Sequence, residues 1–163
     1  MAFFEKTALV THDIYASNLI LGESLFVGLR LPPSWTLAPG VSRPEIVAAH
    51  KRGNRRWVAT GDAWYVVHDE ARRWVMELAI RIRALPRGQE QQGEIATAGG
   101  HPARVVWKEK RRGLPWQRHT VTFMTVTHIC PQSERQIRLE FSGWCPVEGF
   151  NELLSSMEHL VCH

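Results

Sequence analysis

The chain has 163 residues, 44% of them hydrophobic and 22% charged, with a formal net charge of +4. That length and balance predict one globular domain over residues 1–163, with a core that needs no staples, and exclude a disordered or fibrous chain. No run reaches the roughly 18–20 apolar residues of a membrane helix. The opening MAFFEKTALVTHD lacks a basic lead, a long apolar stretch and a small-residue cleavage site, so the expectation is no membrane contact and a cytoplasmic location.

Residues 1–18 show no period and read as an N-terminal arm or short strand. A strand is predicted over 24–31, stopped by Pro32-Pro33, neither of which can donate to a ladder. Trp35 then plugs the end of the sheet, and Pro39-Gly40 makes a turn. Ser42-Arg43-Pro44-Glu45 carries the marks of a helix start, a capping serine with a glutamate three residues on and a proline in the first turn. Ile46, Val47 and Ala49 supply its apolar side, and Gly53-Asn54 ends it. Residues 55–60 and 63–68 read as a hairpin across Gly61-Asp62, with Trp57, Trp64 and Tyr65 adding strand-favouring bulk.

The longest helix is predicted over 69–85. Asp69 caps it, Pro86 stops it, and Ala71, Trp74, Val75, Leu78, Ala79, Ile82 and Leu85 form one apolar stripe. A start at Asp62 is an alternative, because Val67 continues the stripe. Residues 86–94 form a polar loop. From 99 to 161 three strands and a helix follow. Val121, Phe123, Thr125 and Thr127 alternate with Thr122, Met124, Val126 and His128, and Ile137, Leu139 and Phe141 alternate with Gln136, Arg138 and Glu140. Phe150, Leu153, Leu154, Met157, Leu160 and Val161 fall at helical spacing. The predicted fold class is α+β: an antiparallel sheet flanked by helices 69–85 and 148–161.

Leu29-Arg30-Leu31-Pro32-Pro33-Ser34-Trp35, the helix 69–85, the entry Gly99-Gly100-His101-Pro102-Ala103 and the closing Ile137-Arg138-Leu139-Glu140-Phe141 with the terminal helix together resemble the PsbP-like fold. That fold is shared by the photosystem II extrinsic protein and a Ran-GTPase-binding protein. The resemblance covers residues 24–163. It implies an α/β/α sandwich and a tendency toward binding another protein, or self-association, rather than catalysis.

Chemistry concentrates where the middle strand ends, at His128-Ile129-Cys130, and in the tail Glu158-His159-Leu160-Val161-Cys162-His163. The third strand runs away from the turn after Cys130 and the last helix runs back, so the two segments meet. Three readings stand side by side: a small buried cysteine beside a frayed end, a Cys130–Cys162 disulfide, and a zinc site from His128, Cys130, Cys162 and His163. Cys145 lies at the other end of the helix. Three cysteines in a chain of this length are not a disulfide framework.

The basic charge is carried mostly by arginine, which also follows from genome composition or heat tolerance. Its densest point is Lys108, Lys110, Arg111 and Arg112 between Trp107 and Trp116. That is either a ribbon gripping a nucleic-acid backbone or a solvated hairpin tip. Lys51-Arg52 with Arg55-Arg56 carries the same ambiguity. No GK[ST] follows Gly99-Gly100, and GxSxG and HExxH are absent, so no catalytic residue is assigned. His68-Asp69-Glu70 and His12-Asp13 read as a capping cluster and a coincidence.

Overall fold

A computed structural model describes residues 9–51, 54–85, 94–117 and 119–163. The predicted polar loop therefore lies almost wholly outside the described residues, as do residues 1–8 of the arm. Two strands, β1 (Val10–Asn18) and β2 (Gly22–Leu31), pair antiparallel. Seven more are β3 (Thr36–Lys51), β4 (Asn54–Asp69), β5 (Trp74–Ala84), β6 (Glu94–Ala98), β7 (His101–Arg112), β8 (His119–Cys130) and β9 (Arg135–Gly143). They form one antiparallel sheet in the order β3-β4-β5-β9-β8-β7-β6. One helix, α1 (Val147–Ser156), and a 3-10 turn, Met157–His159, complete the described elements.

The fold is thus mostly β, and the expectation of an α+β sandwich flanked by helices is overturned. The stretch predicted as the long helix is β5, between β4 and β9. Met76, Leu78, Ile80 and Ile82 are buried, while Glu77, Arg81 and Arg83 face solvent. Leu78, Ala79, Ile82 and Leu85 also fit a helical stripe, so the pattern satisfied both periods. Pairing on both sides, with β-branched Val75, Ile80 and Ile82, favours the strand. Asp69 caps a turn instead of a helix: its Oδ1 accepts the Arg72 N–H at 3.1 Å, and Arg73 takes a left-handed φ of 57°.

The short helix predicted from Ser42 is also strand. Pro44 lies in β3, an edge strand, where a missing N–H costs no ladder bond on the open side. Pro39-Gly40 is an irregularity within β3, where the register shifts between Ala38 and Val41. Gly61-Asp62 is not a turn either, since β4 runs straight through it. Gly61 has φ +133°, and a side chain there would overlap the Arg43 carbonyl. The terminal helix stops at Ser156, and the residues beyond the 3-10 turn are extended.

One face of the seven-stranded sheet is covered. Leu78, Ile80, Met124, Val126, Ile137, Leu139, Phe141 and Val105 pack beneath Phe26, Val27, Leu29 and Leu31 of β2 and Phe150 and Leu153 of α1 in a single core. Each such side chain removed from water contributes roughly 1.5–3 kcal/mol. The opposite face is open: Trp64, Val66 and Val75 are exposed on it.

Arg72 pins the helix to the sheet. Its guanidinium donates to Asp69 at 2.7 Å and to Glu152 of α1 at 2.8 and 2.6 Å, and lies 4.0 Å over the Trp74 ring. Trp35 Nε1 donates to the same Glu152 carboxylate at 3.1 Å. These bonds hold Glu152 below the usual carboxylate range, with Arg72 the main cause. Burial would push Asp69 up, but hydrogen bonds from Arg72 and Ser34 outweigh it and hold that carboxyl down.

Candidate metal centre

Three pieces of chain converge at one edge of the covered face. The first is the β6–β7 turn, in which only Gly99 and Gly100 separate the paired Ala98 and His101. Their φ values, 59° and 77°, are the left-handed pair that a two-residue hairpin turn demands, and glycine adopts them without a Cβ penalty. The second is the end of β8. The third is the tail after α1, held by backbone bonds. Gly99 N donates to Met157 O at 2.9 Å, and Gly28 and Val161 exchange two bonds of 2.8 Å.

This arrangement brings His101, Cys130, Cys162 and His163 together, each offering one donor atom, with all four within 4.8 Å of one another. His163 Nδ1 lies 3.5 Å from Cys130 Sγ and 3.3 Å from Cys162 Sγ. Tetrahedral zinc with Zn–S near 2.3 Å and Zn–N near 2.0–2.1 Å places sulfur and nitrogen ligands about 3.6 Å apart. The set therefore fits the ion with adjustments of an ångström or so. The His101 Nε2 is buried without a hydrogen-bond partner, as an atom kept for a ligand would be.

Of the residues predicted for this site, Cys130, Cys162 and His163 are brought together. His128 stands behind them. Its ring stacks on His101 with centroids 5.9 Å apart and planes 16° from parallel. It is fully buried, and burial, with His101 and Arg135 adding to it, lowers its pKa to about 4. A neutral imidazole is thus stacked against the His101 ring. Cys130 and Cys162 are both buried, with free sulfurs. Burial pushes the Cys162 thiol up to about 12, and its neighbour Cys130 adds to the shift. Cys145 is a third, separate free thiol, raised to about 11 by burial.

Arg135 underlies the cluster. It is 2% exposed and donates to Phe26 O at 2.6 Å, Ala59 O at 2.8 Å and Cys162 O at 2.7 Å. The guanidinium thus ties β2, β4 and the tail to β9, where Arg135 pairs with Cys130. Burial lowers its pKa, and the two thiols beside it act in the opposite sense. Ser133 N–H donates to Cys130 Sγ at 3.4 Å, the kind of support that orients a sulfur ligand.

His101 is the candidate ligand that sequence reading passed over. The register held the signal: Ala103 pairs with His128, so the same ladder carried two residues further sets His101 opposite Cys130 on the same face. Without the pairing, nothing marks this histidine out.

The basic hairpin divides between the faces. Lys108, Lys110 and Arg112 point to the open face, where Lys110 Nζ lies 5.0 Å and Arg112 Cζ 5.7 Å from the Phe123 ring. Trp107 points to the covered face, half-buried and edge-on to Phe150 at 5.9 Å, and Arg111 shares its side of the strand. Trp116 is 74% exposed in the turn beyond β7. Of the second basic run, Arg56 pairs with Glu134 at 3.7 Å, and the side chains of Lys51, Arg52 and Arg55 lie outside the described residues. Asp69 belongs to the Arg72 clamp, and Asp13 pairs with Arg30 at 2.8 Å.

Among the described residues no helix is long and apolar enough to cross a membrane. Compared with protein-family models, curated proteins and solved structures, the chain matches none.

Proposed function

We propose that this chain is a zinc-binding, non-enzymatic domain whose Cys2His2 centre fastens the tail to the sheet. The observation that carries the reading is the convergence of His101, Cys130, Cys162 and His163 within 4.8 Å. Two thiolates and two imidazoles are the donor set of closed structural zinc sites, whereas catalytic zinc keeps one position for water or substrate. With four protein donors, the centre has a mechanical role. It links the β6–β7 turn, the end of β8 and the tail, and binding free energy becomes folding free energy.

The test is zinc titration of reduced, metal-free protein. One zinc per chain should bind with a dissociation constant below 1 µM. Cys130→Ser and Cys162→Ser should each weaken it at least a hundredfold, and His101→Gln at least tenfold. Zinc uptake that none of these substitutions changes would overturn the proposal.

A further inference from the structure

The open face of the large sheet carries a second arrangement, independent of the metal centre. On β5, β9, β8 and β7 the register gathers seven cations there: Arg81, Arg83, Arg138, Arg104, Lys108, Lys110 and Arg112. Glu77 and Glu140 share those four strands' open side, and on the neighbouring β4 Asp62, opposite Arg81, accepts from Arg83 at 2.8 Å. Seven cations against these three carboxylates leave an excess of four, equal to the +4 of the whole chain.

Arg81 and Arg138 are direct cross-strand neighbours, a like-charge pair offset by Asp62 opposite Arg81 and by Glu140, 3.9 Å from Arg138. Lys108, Lys110 and Arg112 stand on alternate residues about 6.6 Å apart along one side of β7, and Arg104 lies further along that side, beyond Val106. A row of cations at this repeat suits the phosphates of an extended single strand.

Beside the stripe lie two adjoining hollows. One, of about 300 Å³, is lined by Val75, Val121, Phe123, Arg112, Trp144 and Glu77. The other, of about 430 Å³, includes Trp64, Ala79, Arg81, Phe123 and Glu140. Phe123 and Glu77 wall both. Aromatic surface for a base to stack on, a carboxylate to accept from an exocyclic amine, and a flanking cation row are the parts of a single-strand binding face. Thr125, Thr127 and Ser142 add hydroxyls between the cations and Glu140, whose Oε2 accepts from Thr125 Oγ1 at 3.3 Å. Those groups are the ones a ribose 2′-hydroxyl would engage.

We infer that this open face binds single-stranded RNA, its backbone along the β7 stripe and two successive bases over the hollows on either side of Phe123. Aromatic stacking supplies the base contacts, and the four cations of β7 supply the phosphate contacts.

The experiment is fluorescence anisotropy with a labelled mixed-sequence 12-nucleotide RNA. The same sequence as single-stranded DNA, an RNA duplex and heparin serve as competitors. RNA binding should fall steeply with salt, and the K108Q/K110Q double variant should weaken it at least tenfold. That variant should also flatten the salt slope by about 1.4, or 0.7 for each phosphate no longer neutralised. Phe123→Leu, which keeps apolar bulk without a ring face, should weaken binding about tenfold and leave the slope unchanged. Unchanged circular dichroism and urea midpoints report that both variants are folded. No RNA binding at 50 mM salt would overturn the inference. So would heparin competing as well as RNA with Phe123→Leu silent, which would make the face a plain polyelectrolyte patch. DNA binding as tight as RNA would overturn the choice of RNA.

Discussion

Gly28 and Val161 are joined by two backbone hydrogen bonds of 2.8 Å, one in each direction, so a single antiparallel bridge fastens the tail to β2. The next residue is Cys162, and its position follows from that pairing. A Cβ on Gly28 would come 2.6 Å from Asp13 Oδ1 and 2.9 Å from Val161 Cβ, so Gly28→Ala must push the tail away. Overpacking of this kind costs about 1–3 kcal/mol. Gly28→Ala should therefore lower stability by about 2 kcal/mol in urea melts and weaken zinc binding at least tenfold, although residue 28 touches no ligand.

Zinc should stabilise the wild-type fold in proportion to its occupancy. At a free concentration a hundred times the dissociation constant, the gain is about 2.7 kcal/mol. Calorimetry with and without a chelator should show the melting temperature falling on chelation, and Cys162→Ser should show no difference between the two conditions.

His128 sets a pH dependence for the metal-free protein. Its folded pKa, about 4, lies below the ordinary 6.5, so between those values the unfolded chain binds the extra proton. Stability therefore rises with pH across that window and is lost as pH falls from about 6.5 to 4, by about 3 kcal/mol at roughly 1.4 per unit. Urea midpoints at pH 7 and pH 4.5, with chelator present, should show the loss, and His128→Leu should flatten it.

Much of this architecture was legible in the sequence and some was not, for physical reasons. Strands β8 and β9 alternate strictly, with one face buried, and β2 ends at a proline pair, so period and punctuation agree. Met76 to Arg83 satisfied a helical stripe and a strand alternation together, and only the neighbours β4 and β9 decide between them. Ser42 and Glu45 carried a helix-cap pattern that the edge position of β3 overrides. Cys130, Cys162 and His163 could be drawn together by following the chain back along α1. His101 could not, because its partner across the ladder is defined by the β7–β8 register, which pattern alone does not fix.

The Arg72 clamp is a separate determinant of where α1 sits. Asp69 is 1% exposed, so removing its cation leaves a nearly buried carboxylate unpaired. Breaking a fully buried pair costs about 3–5 kcal/mol, and the partial exposure of Arg72 reduces that. Arg72→Met should thus cost about 2 kcal/mol in urea melts. Glu152→Gln, which keeps an acceptor for Trp35 and Arg72, should cost less. Both carboxyls have depressed pKa values, so their contribution is present above their ordinary range, near pH 4, and is lost as pH falls through the folded values. That window lies below the one set by His128.

The most direct test of the zinc centre is the optical spectrum of reduced, metal-free protein titrated with cobalt(II). Four donors from His101, Cys130, Cys162 and His163 predict saturation at one cobalt per chain. The spectrum should combine intense visible bands of tetrahedral cobalt with a thiolate charge-transfer band in the near ultraviolet. Cys130→Ser and Cys162→Ser should each diminish the charge-transfer band, and His101→Gln should shift the visible bands. A weak octahedral spectrum without thiolate charge transfer would contradict the account, as would one that Cys162→Ser leaves unchanged.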